Sequence, residues 1–137
     1  MAEKASLSPK QSQPWEVTVQ LKLSVRIIDG ISIVDCRGRL LFGDEAGVLR
    51  DTVKNLLAES KSIIINLGEC TYIDSGGLGT LVGLYTSAQN TGGMVKLCNL
   101  QQRVTDLLQV TKLLTVFDVY DSEDKAVRSF TSKSAVA

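Results

Sequence analysis

The residues Ser-Ile-Ile-Ile-Asn-Leu at 62–67 constrain this chain more than any others. Side chains along a strand point alternately to opposite faces, so three consecutive isoleucines place apolar surface on both. A strand of that kind is stable in a sheet covered by helices on its two sides. The flanking pattern supplies those helices. Residues 44–60 carry Ala46, Leu49, Val53, Leu56 and Leu57 at helical spacing, with Asp44 as the expected N-cap. Residues 75–88 bring Leu78, Leu81, Val82 and Tyr85 to one face, and 90–93 end that helix. A third helix is expected from Gln101 to about Leu108, and a fourth after Ser122, with Glu123 and Asp124 in its first turn.

Further strands are expected at 94–98 and 116–120. Upstream, the odd positions from Val17 to Ile27 are apolar and the even ones polar, a half-buried strand. Asp29-Gly30 then predicts a two-residue hairpin turn to a strand at 31–37. Gly38 is expected to open a loop to Gly43. The order β-β-α-β-α-β-α-β-α predicts one α/β domain with a mixed sheet, an opening antiparallel hairpin and about four helices. At 137 residues the chain suits a single core. Residues 1–14 read as a polar leader, 15–131 as the domain and 132–137 as a flexible tail.

Composition removes several classes of function. Fifteen Lys and Arg balance fifteen Asp and Glu, against binding driven by a nucleic-acid backbone. Histidine is absent, which excludes Ser-His-Asp and Cys-His catalysis and leaves no ordinary catalytic zinc set. The three cysteines lack CxxC spacing, so neither a disulfide scaffold nor a structural zinc site is expected. Cys36 and Cys98 lie in apolar runs, as small buried hydrophobes do. A reduced, cytoplasmic protein follows. No apolar run approaches a membrane span of about 20 residues. No cofactor is expected, and the long first strand leaves homodimerisation open.

The segment with chemical content is Tyr72–Gly83, YIDSGGLGTLVG. Glycine costs a helix interior about 1 kcal/mol relative to alanine, so Gly76, Gly77 and Gly79 at a helix start need a reason. A dinucleotide fingerprint would want an acidic residue at the end of the next strand, where Cys98-Asn99-Leu100 stand instead. A P-loop lacks its Gly-Lys-Ser/Thr, and a serine nucleophile at Ser75 lacks both the GxSxG setting and a histidine base. Two readings stay open: a tight turn that needs glycine for geometry alone, and a phosphorylation switch at Ser75. A phosphate there would meet the positive end of a helix and spare the fold, while its charge beside Asp74 would act on a docked partner. Leu40-Leu41-Phe42 is either core closure or a binding patch, with Phe42 expected partly exposed. Lys54, Lys61, Arg103 and Lys112, and the carboxylates Glu45, Asp51 and Glu59, are assigned to solvated faces.

The run Ile73-Asp74-Ser75-Gly76-Gly77-Leu78-Gly79 resembles the signature of STAS domains of the bacterial anti-sigma factor antagonists. The resemblance extends over residues 21–130. It implies a non-enzymatic protein that binds an anti-sigma factor which is also a serine kinase, thereby freeing a sigma factor. Ser75 would be the phosphoacceptor, and a serine phosphatase would reset it. Asp74, Gly76, Gly77, Leu78 and Gly79, with Gly38 and Phe42 nearby, would form the partner surface. Gly76 stands where many members have a second serine, leaving one acceptor in the motif. Leu41 stands where members often carry an acidic residue. STAS domains also serve as scaffolds in stress-sensing assemblies and as subunits of phospholipid-transport complexes, the alternative role the resemblance allows.

Overall fold

The computed structural model describes residues 20–136. Five strands, β1 (Leu21–Ile28), β2 (Ile31–Leu40), β3 (Ser62–Ile73), β4 (Met94–Cys98) and β5 (Asp118–Tyr120), form one sheet in the order β1-β2-β3-β4-β5. β1 runs antiparallel to β2, and β2 through β5 are mutually parallel. The helices are α1 (Asp44–Leu57), α2 (Ser75–Asn90), α3 (Gln102–Val110) and α4 (Glu123–Val136). This is the mixed α/β sheet with an opening hairpin expected from the pattern. The part of the alternating strand before residue 20 lies outside the described residues.

The isoleucine triplet divides as its period demands. Ile63 and Ile65 enter a large core with Leu49 and Val53 of α1, Leu81 and Leu84 of α2, and Val104 and Leu108 of α3. Ile64 faces the opposite way, into a small cluster with Ile31, Ile33 and Cys98 under Ala126 and Val127 of α4. Three helices therefore cover one face and a single helix the other. Cys36, Cys70 and Cys98 are all buried. Burial pushes the Cys98 thiol up to about 12 and raises the other two as well, so none is a ready nucleophile.

Asp29 and Gly30 both adopt positive φ, 53° and 79°, as the hairpin turn requires. Ser122 accepts a bond from Lys125 N–H at 3.1 Å and caps α4 as expected. That helix runs on to Val136.

Four expectations change. The first concerns β1, where Leu21 is buried but Val25 and Ile27 are exposed. Their side chains share the core-side face, but β1 is an edge strand and α1 packs over β2 and β3 instead. Second, Gly38 opens no loop. β2 continues through two register shifts to Leu40, paired with an equally extended β3 through Arg37↔Glu69 and Leu40↔Ile73. Third, the N-cap of α1 is Gly43 rather than Asp44, at φ 103° and ψ −128°, a conformation an L side chain resists. Fourth, Glu45 is buried and its carboxylate accepts the Gln20 backbone N–H at 2.6 Å. That contact ties the entry of β1 to the first turn of α1.

Candidate functional site

The site lies where β2 and β3 end side by side and feed α1 and α2. Leu40 and Ile73 are paired and both are buried. They fix the two departing loops about one strand spacing apart. Leu40 closes the core, Leu41 is half-buried, and Phe42 is turned out with 79% of its surface exposed.

Asp74 joins the two loops. It is the N-cap of α2, in extended geometry, and its carboxylate accepts the Gly77 N–H at 2.8 Å. Both carboxylate oxygens also accept the Phe42 N–H, each at 3.0 Å. These donors, Phe42 first, hold the Asp74 carboxyl below the usual carboxylate range. Asp74 is therefore a charged clasp whose negative charge is answered by backbone dipoles. Sequence reasoning placed it as an acidic neighbour of Ser75 and missed the capping role, although an aspartate just ahead of a helix is a sequence-level sign of one.

Ser75 is the first residue of α2 and is exposed. Among the described residues, no hydrogen bond engages its hydroxyl. It opens on a groove of about 360 Å3 between the end of β3 and α3, lined also by Tyr72, Arg103, Val104, Leu107 and Val110. Val110 is 79% exposed. The Arg39 guanidinium lies 5.5 Å over the Tyr72 ring.

The glycines of the motif divide into two pairs. A Cβ on Gly76 would overlap Phe42, and one on Gly77 would overlap the Leu40 carbonyl, so both glycines serve the fold. At Gly79 and Gly83 an added Cβ would meet nothing within 4 Å. These two weaken an exposed helix face without any internal packing need. Gly79 thus stays with Asp74, Ser75, Gly76 and Phe42 on the accessible surface. Gly77 and Leu78 are buried beside the exposed Ser75 and Gly79 of the same helix start. Gly38 sits two residues before the end of β2. It lies within β2 opposite Leu21 and Cys70, where a Cβ would overlap the Gln20 carbonyl, and its φ is 115°. Its glycine is required by that close approach of the β1 entry.

The strand pair thus delivers an aspartate-capped, glycine-rich helix start to the surface. The STAS domain model matches residues 22–126, and the chain belongs to the STAS domain family. It is 32% identical over 83 residues to the anti-sigma-B factor antagonist of Bacillus subtilis strain 168, covering 61% of this chain and 76% of that protein. The fold is similar to the anti-sigma factor antagonist SpoIIAA in its unphosphorylated form (TM-score 0.69, 17% identity, 81% of this chain and 97% of that one). It is also similar to a sulfate transporter family protein from Wolinella succinogenes (TM-score 0.60, 20% identity, 74% and 84%). Among the described residues no helix is long and apolar enough to cross a membrane.

Proposed function

We propose that this protein is an anti-sigma factor antagonist, a cytoplasmic binding protein rather than an enzyme, controlled by phosphorylation of Ser75. Its partner is an anti-sigma factor with serine kinase activity, and docking of the two releases a sigma factor. The observation that carries the reading is the Ser75 hydroxyl. It is exposed at the first turn of α2, without a hydrogen bond among the described residues, beside an apolar groove and the protruding Phe42 ring. Asp74 next to it is already saturated by backbone donors, so modification at Ser75 leaves the clasp in place.

In the modification step the Ser75 oxygen attacks the terminal phosphorus of a nucleoside triphosphate. An O–P bond forms, the nucleoside diphosphate leaves, and the hydroxyl proton is lost. A serine phosphatase reverses it by transferring the phosphoryl group to water. The added charge of −1.5 to −2 is tolerated by the helix N-terminus and opposes a partner packed on the groove.

Phosphopeptide mapping across residues 72–96 of protein from resting and stressed cells tests this. Phosphate on Ser75 supports the cycle. A fully covered peptide without phosphate in either state would move the assignment to an unmodified STAS module of a scaffold or phospholipid-transport complex. In vitro, Ser75→Asp is expected to weaken binding to the anti-sigma factor with little change in unfolding midpoint.

A further inference from the structure

We propose that Arg103 receives the phosphate on Ser75, its side chain bridging the groove that the two residues line. The inference rests on Ser75 as phosphoacceptor and adds the means by which the modification is read. Ser75 and Arg103 both line the groove, one on the first turn of α2 and the other on the first turn of α3. Between them the floor is apolar, formed largely by Val104, Leu107 and Val110.

The charged groups around this groove have distinct fates. Asp74 is satisfied by the Phe42 and Gly77 N–H groups. Asp106 accepts from the Gln102 amide at 2.7 Å. Arg39 is stacked over Tyr72. Arg103, which is exposed, has no hydrogen bond or ion pair among the described residues. A phosphate dianion on Ser75 would have two carboxylates for neighbours and needs a cation. Arg103 is the uncommitted one on this groove, and a guanidinium presents a planar fork that fits phosphate in bidentate fashion. Reaching from α3 to α2, its aliphatic stem would cross the mouth of the groove above the apolar floor. The unmodified protein then offers an open slot for an apolar side chain of the partner, and the phosphorylated protein offers a bridged one.

The test uses the full chain with phosphoserine installed at position 75 during synthesis, so no kinase is involved. 31P NMR titration is compared for the protein otherwise unchanged and for its R103Q and R103K variants. The second phosphate ionisation, ordinarily near pKa 6, is expected about half a unit or more lower with arginine present than in R103Q, with R103K between. The amide signals of Leu107 and Val110 are expected to move on phosphorylation in the parent and not in R103Q. Equal phosphate titrations in all three proteins would overturn the contact. A titration difference without movement at Leu107 and Val110 would overturn the bridging of the groove. Because phosphate is installed chemically, failure here leaves Ser75 as phosphoacceptor intact. Failure of the cellular phosphopeptide test likewise leaves this measurement readable.

Discussion

Asp74 shows how much one carboxylate decides here. It caps α2 and holds the loop that carries Phe42, two tasks in segments 32 residues apart. Asp74→Ala is expected to cost about 1 kcal/mol, the usual worth of an N-cap. It should also loosen the Phe42 loop, visible as faster amide exchange at Phe42. The charge gives a pH signature with a definite sign. The folded-state pKa is depressed, so the stabilisation is complete above the unfolded value near 3.9 and disappears as pH falls through the folded value. The stability gap between the parent and Asp74→Asn, measured by urea unfolding from pH 6 down to pH 2, should therefore narrow below about pH 4. A gap constant across that range would show that the clasp does not depend on ionisation.

At the scale of the element, α2 separates fold from function along its own length. Gly76→Ala and Gly77→Ala are expected to destabilise, since each new methyl would overlap Phe42 or the Leu40 carbonyl. Gly83→Ala, in open space, is expected to raise stability by up to about 1 kcal/mol, read as a higher unfolding midpoint. Gly79→Ala should stabilise similarly while weakening the complex with the anti-sigma factor, because its face lies next to Ser75. Stabilisation without loss of affinity would remove Gly79 from the partner surface. These contrasts mark the limit of what the sequence discloses. Helices and strands were legible because Ile63-Ile64-Ile65, the Leu49–Val53 stripe and Asp29-Gly30 are local patterns. The motif announced a site, yet four glycines in eight residues look alike until Phe42 and Leu40 are placed against two of them. The strand extension from Gly38 to Leu40 was hidden for the same reason: it depends on β3 running alongside, a partner more than 30 residues away. Arg103 reads as a solvated helix residue until α3 is set beside Ser75.

Over the whole molecule the layers are unequal, and so are the forces holding them. α1, α2 and α3 share the large core with the sheet, whereas α4 rests on a small cluster around Ile33 and Ile64. Polar contacts supplement it. Lys96, buried on this face, donates to Ser129 Oγ at 2.8 Å and lies 4.1 Å from the Phe130 ring. Arg26 of β1 binds Asp35 of β2 at 2.6 and 2.8 Å, and Glu123 at the start of α4 at 2.5 and 3.1 Å. One guanidinium thus joins the edge strand, its neighbour and the last helix. Its side chain is 43% exposed, so water screens it and the ion pairs together merit about 1 kcal/mol. The site at Ser75 is built from loops and helices anchored in the other layer. Arg26→Met is accordingly expected to speed amide exchange in α4 by a factor of about five, with the effect fading at high salt. Exchange at Leu81 and Leu84 of α2, and affinity for the anti-sigma factor, should stay unchanged. Acceleration of equal size in α2 and α4 would mean that the two layers open together, and that the switch face depends on the latch on the far side of the sheet.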